Sequence, residues 1–515
     1  MVVVVVFVSL VVIVGLVARV SWWIWWKPKM MEKEMRRQGI NGTKYRTFMG
    51  DLKDEGEAYK EAWSKPMDLN HNIVPRVLPH AHLMLQTYGK TSFKWMGTTP
   101  AVTIWEPELL REVLMNKCGH FVQPQVNPLI KLLANGINSL EGEQWAQRRK
   151  MIKPAFHIDK LKEMVPTFIT SCSELIERWK KLLTDETSCE LDVWPEFQNL
   201  TIDAISRILF GNSFEEGKRI FELQKEQIVL AIDAASSIYV PGFRFLPTTK
   251  NKRRMFIDNE IKRILQDIIN NKLESMKMGG NANSDILSLM LQYGNINIAE
   301  KEKNTNNSKI TIDNVIEECK GFYFAGQDTT STLLTWTLIL LSMHPTWQQK
   351  AREEVLRTCG KNTPNFESIN HLKIVNMILH EVLRLYPPVI TQIRHTEKKT
   401  KLGDITLPAG VHVLIPTLQV HHDQEFWGED AEEFNPERFS EGVSKASKGQ
   451  NAFLPFGWGP RMCLGQAFAM IETKLGLAMV LQHFSFELSP SYAHAPSIVA
   501  TLQPQLGAHL ILHQL

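Results

Sequence analysis

One cysteine, Cys463, sits in FGWGPRMCLG (Phe456 to Gly465) among three glycines and a proline. Backbone N–H groups on a glycine-bent loop can hydrogen-bond a thiolate, and a sulfur held as an anion suits a haem iron. A cysteine taken alone is more often a small buried hydrophobe. The spacing FxxGxRxCxG weighs against that reading, because five specified positions would coincide by chance in about one chain in ten thousand of this length.

Two further segments carry chemistry at unusual places. Thr311 to Pro345 has a polar, capping-type start, a long apolar stretch and a His344-Pro345 stop, which predicts a helix of about 30 residues. Its middle holds Gly326, Asp328, Thr329 and Thr330, poor helix formers among Phe322, Phe324, Leu333 and Leu334. Such residues in a buried helix point to a local distortion at a functional site, the plainer alternative being a polar face against solvent or another helix. In HLKIVNMILHEVLRLYPP, Glu381 and Arg384 lie at i, i+3 on one helical face ended by Pro387-Pro388. Their apolar surroundings make a buried pair that needs further partners, and Arg438 in FNPERF is a candidate third member.

The elements that must position these groups come from a chain of 515 residues, 44% hydrophobic and 22% charged, enough for one large core. No internal repeat or long Pro/Gly/Ser linker divides it. A net charge of +3 gives no argument for a nucleic-acid partner. Residues 2 to 18, VVVVVFVSLVVIVGLVA, are uncharged and as a helix would span ~26 Å, near the ~30 Å hydrocarbon core of a bilayer. A cleaved signal peptide is disfavoured by the absent basic start and by the tryptophans that follow, Trp22, Trp23, Trp25 and Trp26, placed as an interfacial belt. Lys27, Lys29, Lys33, Arg36 and Arg37 then put the N-terminus outside and the remaining chain in the cytosol. The six cysteines form no CxxC pair and read as free thiols, and the sequons at Asn41, Asn199 and Asn306 read as unmodified. After the anchor the pattern is mostly helical, with strands near 91 to 105 and 401 to 416 and exposed loops at 275 to 285 and 293 to 310.

Together AGQDTT (Ala325 to Thr330), EVLR (Glu381 to Arg384), PERF (Pro436 to Phe439), WAQRR (Trp145 to Arg149) and the cysteine stretch resemble the cytochrome P-450 superfamily of haem-thiolate monooxygenases. Finer features, Ile238 to Met255 and the ending APSIVATLQPQLGAHLILHQL, resemble the plant microsomal clan that includes secologanin synthase and hormone-modifying hydroxylases. The resemblance implies a mainly α fold with a small β-rich part, the P-450 fold, behind one N-terminal transmembrane helix. It divides the chain into an anchor (1–26), a juxtamembrane connector (27–60) and a catalytic domain (61–515). It implies haem b with Cys463 as axial thiolate, and Asp328 and Thr329 as the acid-alcohol pair that supplies protons for oxygen activation. Trp145, Arg149, Arg394, Phe456 and Arg461 would contact the haem, the cations meeting its propionates. Glu381, Arg384 and Arg438 would be the structural triad that holds the cysteine loop.

The same resemblance implies an endoplasmic reticulum protein that takes electrons from NADPH-cytochrome reductase and oxidises a bulky apolar substrate, a terpenoid or terpenoid-derived hormone. Two other functions are open on this fold: a haem-thiolate isomerase or dehydratase, which usually lacks the acid-alcohol pair, and a non-catalytic haem sensor. One departure is GINGTKYR (Gly39 to Arg46), where microsomal members usually carry a proline-rich hinge, which leaves open how rigidly the domain sits on the membrane. The aromatic stretch Tyr239 to Phe245 reads either as a shallow second membrane contact or as a buried loop, and the region near Pro124 to Leu133 as part of the pocket.

Overall fold

The computed structural model describes residues 2–125, 127–183, 187–211, 214–237, 239–240, 242–278, 285–294, 310–448 and 452–515. The Asn306 sequon and most of the two loops expected at 275–285 and 293–310 lie outside them.

The helical part is organised around Ile312–Met343, which packs on Val193–Phe210, the C-terminal helix Gln466–His483 and the helix Lys373–Leu385. Thr311 caps the long helix: its hydroxyl accepts from Asn314 N–H and the Asn314 side chain accepts from Thr311 N–H, a complete capping box. Its end falls at His344, just before Pro345, as the sequence predicts. The expected distortion is not a break, because the helix runs uninterrupted through Gly326 to Thr330. The hydroxyls of Thr329, Ser331, Thr335 and Thr337 donate to carbonyls four residues back, a back-bonding that satisfies these side chains within the helix and favours a bend, and Thr201 Oγ1 from the neighbouring helix donates to Gln327 O.

The β-rich part is a six-stranded sheet in the spatial order Asn41–Gly42, Ser92–Met96, Thr99–Thr103, His412–Ile415, Gln392–Thr396, Phe121–Val122. Both sequence-predicted strand regions appear, and Thr400–Leu402 with Ile405–Leu407 form a separate hairpin. A second apolar cluster under this sheet contains Trp95, Val102, Val413 and Ile415 together with Met31, Met35, Ile40 and Tyr45. The residues after the apolar span are therefore packed against the sheet.

Val2–Ser21 continues through a π-helical turn, Trp22–Trp26, into Lys27–Arg37, an apolar helix long enough to cross a membrane over its first part. All four tryptophans are exposed. In the π turn Lys27 N–H bonds to Trp22 O, five residues back. The Tyr45 hydroxyl donates to Ile24 O within this turn and accepts from Phe48 N–H at 3.1 Å. Further on, Arg36 donates to the carbonyls of Gly42 and Thr43, and the Gln38 amide brackets the backbone of Thr406. Gly42 is required where it sits, since a Cβ there would meet the Phe93 carbonyl at 2.0 Å. GINGTKYR is thus a docked segment, rigid without prolines.

Candidate active site

The cysteine loop is shaped by its glycines. Gly457 and Gly459 both adopt φ of 73°, and a Cβ on Gly459 would come within 2.7 Å of the Leu114 carbonyl. The loop closes when Cys463 N–H donates to Phe456 O at 2.9 Å, so Phe456 acts first through its carbonyl. Cys463 is exposed at short range yet enclosed by protein at longer range. That combination describes a thiol lining an internal cleft. Burial pushes the thiol up, while a hydrogen bond from Gly465 N–H and the Arg149 charge pull it down.

The long helix lies across from this loop. Phe156 bridges the two, its ring in contact range of Gly465 and 5.8 Å from the ring of Phe322. Along the deeply packed helix Ala325 is exposed and Thr329, one turn on, is only half-buried, so this face opens onto interior space. The Thr329 hydroxyl donates to Ala325 O at 2.6 Å. Its lone pairs are left to accept from a donor in the cleft.

Asp328 is not on that face. Successive helical residues diverge by about 100°, and the carboxyl, 4% exposed, is turned onto the hairpin Pro496–Val499/Thr501–Pro504. There it accepts from the Thr501 hydroxyl at 2.5 Å and from the Gln503 amide at 3.1 and 3.2 Å. No sequence signal near Asp328 points to these partners. The only trace is the i, i+2 polar spacing of Thr501 and Gln503, which puts both on one face of a strand.

Four of the proposed haem contacts converge. The Trp145 ring has the guanidinium of Arg461 at 4.7 Å and that of Arg149 at 5.5 Å from its centroid. Arg149 donates to Met462 O at 3.1 Å. Arg461 donates to Leu140 O and pairs with Glu141 at 2.7 Å. Arg394 is buried, has no ion-pair partner among the described residues, and donates to Ile393 O at 2.9 Å. Burial and then the nearby Arg461 charge lower its pKa to about 10. Three guanidiniums with one adjacent carboxylate form a cluster short of negative charge. A thiol on an internal cleft, flanked by cations lacking anions, fits haem: sulfur for the iron, guanidiniums for the propionates.

The buried pair Glu381–Arg384 is connected to the cysteine loop by hydrogen bonds through one residue that motif reading does not single out. Glu381 and Arg384, both 0% exposed, pair bidentately at 2.7 and 2.8 Å. Arg384 also donates to the carbonyls of His421, Ala431 and Glu433, and Glu381 accepts from Asn435 N–H. Arg438 reaches Glu381 at 3.4 Å but binds more closely to Asp430 at 2.5 Å, so it is the outer member. His421 makes the link onward: Leu454 N–H donates to its Nε2 at 2.9 Å, and its Nδ1 lies 3.2 Å from Arg384 O. Because Nε2 accepts, the proton is on Nδ1 and the ring is neutral. Gly457 N–H in turn donates to Leu454 O, which carries the connection into the cysteine loop. The aromatic stretch after residue 239 is an exposed loop where described, with Val240, Phe243 and Phe245 open, while Pro241 lies outside the described residues.

Comparison with known proteins bears on this arrangement. The chain is 54% identical over 495 residues to cytochrome P450 CYP72A616 of Paris polyphylla, covering 96% of this chain and 95% of the relative. It is 49% identical over 498 residues to secologanin synthase 1 of Catharanthus roseus, covering 96% and 95%. To the 7-deoxyloganic acid hydroxylase of the same plant it is 49% identical over 503 residues, covering 97% and 96%. The cytochrome P450 family profile matches residues 78–510, from before the strand Ser92–Met96 into the last strand, His509–Gln514, and so takes in the cysteine loop, the long helix and the triad together. A match of that extent, with relatives named as synthase and hydroxylase, shows that the chain belongs to the cytochrome P450 family of monooxygenases.

Proposed function

We propose that the protein is a membrane-anchored haem-thiolate monooxygenase of the endoplasmic reticulum, fed by NADPH-cytochrome reductase, with a bulky apolar substrate of the terpenoid class. The observation that carries this reading is the Cys463 thiol on an internal cleft, hydrogen-bonded by Gly465 N–H, beside three under-neutralised guanidiniums. The substrate class rests on the relatives named secologanin synthase and 7-deoxyloganic acid hydroxylase. Residues 1–26 are the anchor, 27–60 a connector docked on the sheet, and 61–515 the catalytic domain. The exposed apolar side chains of Val240, Phe243, Phe245 and Leu246 add a shallow second contact with the bilayer.

Haem b, when bound, would supply oxygen activation at its iron, with the Cys463 sulfur as the group that would hold that iron. Cys463 serves as thiolate, its charge stabilised by Gly465 N–H and Arg149. Arg149, Arg394 and Arg461 would hold the propionates, and the Trp145 ring, within cation–π range of Arg149 and Arg461, would help to fix those two guanidiniums. Thr329 accepts a hydrogen bond at Oγ1 from a group in the cleft, since its own proton is committed to Ala325 O. Asp328 holds and releases a proton one residue away, as burial lifts its carboxyl above the ordinary range.

The test is reconstitution with reductase, NADPH and oxygen, reading product per NADPH oxidised. Thr329→Ala should keep haem and substrate binding while lowering that ratio. Substrate conversion without NADPH would indicate an isomerase, and spectral binding of every ligand without turnover would indicate a sensor.

A further inference from the structure

The acid of the proposed proton pair is held by a part of the chain far away in sequence. We propose that Thr501 and Gln503 are positioning residues for Asp328, holding its carboxyl in a neutral cluster that accepts either protonation state without moving heavy atoms. This rests on the monooxygenase reading above.

The hydrogen-bond inventory carries the argument. With Asp328 ionised, the single Thr501 proton goes to Oδ2 at 2.5 Å. Thr332 must then donate to Thr501 across their 3.3 Å contact. The Gln503 amide nitrogen has two protons for four acceptors: both Asp328 oxygens, Thr501 Oγ1 at 3.1 Å and Val499 O at 3.1 Å. When Asp328 is protonated, its O–H donates to Thr501 Oγ1 and the Thr501 proton turns to Thr332. The two hydroxyl contacts then run in the opposite direction, while the Gln503 amide still donates to Asp328 Oδ1. An acid paired with a lysine or arginine would lack this freedom, because the cation has no acceptor and holds the carboxylate ionised.

The hairpin is built for this placement. Val499 pairs with Thr501 across the single residue Ala500, whose φ of 66° lies in the left-handed region. So tight a turn fixes Thr501 and, two residues on, Gln503 against the long helix, where Thr501 is also buried. Among the described residues the charged group facing Asp328 from another element is Lys225, on Phe214–Ala235, and it acts at a distance. Burial is the largest influence on the carboxyl and raises its pKa; the Thr501 and Gln503 donors lower it part of the way back. Removing a donor therefore raises it further.

The experiment uses the full-length holoprotein with Thr501→Val, Thr501→Ser and Gln503→Leu. The carboxylic-acid C=O stretch of Asp328 is isolated in the infrared by subtraction of Asp328→Asn and followed against pH in the ferric protein without substrate. Thr501→Val and Gln503→Leu should each move its titration upward by about one pH unit. Thr501→Ser should titrate like the parent. With a substrate, Thr501→Val should lower turnover and product per NADPH about tenfold at neutral pH and by less at alkaline pH, with spectral affinity for substrate unchanged. The proposal is overturned by an unshifted titration in both Thr501→Val and Gln503→Leu, or by Thr501→Ser behaving like Thr501→Val, which would make the role one of packing. Failure of the monooxygenase reading would appear separately, as absent NADPH-dependent product in the parent protein.

Discussion

Replacing His421 with phenylalanine tests whether the triad supports the cysteine loop through this ring. The substitution keeps an aromatic ring against Phe453, now 5.4 Å away and stacked at 23°. It removes the acceptor for Leu454 N–H and the donor to Arg384 O, both in a fully buried setting. An orphaned buried group costs about 1–3 kcal/mol, so two cost about 2–6 kcal/mol. In a chain this long each kcal/mol moves the melting midpoint by about 1–2 °C, giving a drop of several degrees. The loss should fall first on the loop, as a larger share of protein whose reduced carbon monoxide complex lacks the long-wavelength thiolate band. The pH dependence gives a second check. His421 is held neutral, its pKa lowered to about 3 by burial and the Arg384 charge. Below the unfolded value near 6.5 the unfolded chain binds a proton that the folded chain refuses, so this residue lowers stability as pH falls. Phenylalanine has no such proton, and the penalty of the variant should shrink by about 1.4 kcal/mol per pH unit between about 6.5 and 3. A midpoint and a thiolate band equal to those of the parent at neutral pH would refute the linkage.

Cys463→Ser should abolish the thiolate band of the carbon monoxide complex, because a serine hydroxyl is far harder to deprotonate than a thiol; a retained band would show another ligand. Glu381→Gln should cost about 3–5 kcal/mol by leaving the fully buried Arg384 charge uncompensated, read as loss of holoprotein on expression and a lowered melting midpoint. Deleting residues 1–26 should release the chain from alkali-washed membranes with haem binding retained, since no proposed haem contact lies there; alkali-resistant association would mean that another segment inserts deeply. Tyr45→Phe, which loses the hydroxyl bond to Ile24 O, should broaden the distribution of haem tilt in oriented bilayers, measured by linear dichroism, without changing haem content.

What was legible in the sequence was what local spacing determines. The glycine-bent cysteine, the i, i+3 pair Glu381 and Arg384, and the cap and stop of the long helix are each decided within a few residues, and each stands where the spacing puts it. The partners that complete these groups are decided by tertiary contact. His421 lies 37 residues from Arg384 and 33 from Leu454, and Thr501 lies 173 from Asp328. No window of sequence contains both ends of such a bond. The distortion expected in the long helix is not a break: helix propensity scores Thr329 and Ser331 by what they lose in isolation, whereas each hydroxyl finds the carbonyl four residues back. The missing prolines left open how rigidly the domain sits on the membrane, and no local spacing could answer it: the segment is held by Gly42 against Phe93 and by the Tyr45 hydroxyl on Ile24 O in the π turn. Rigidity there comes from contacts with the sheet, so it should disappear when those contacts are removed and survive changes in the local backbone preferences of the connector.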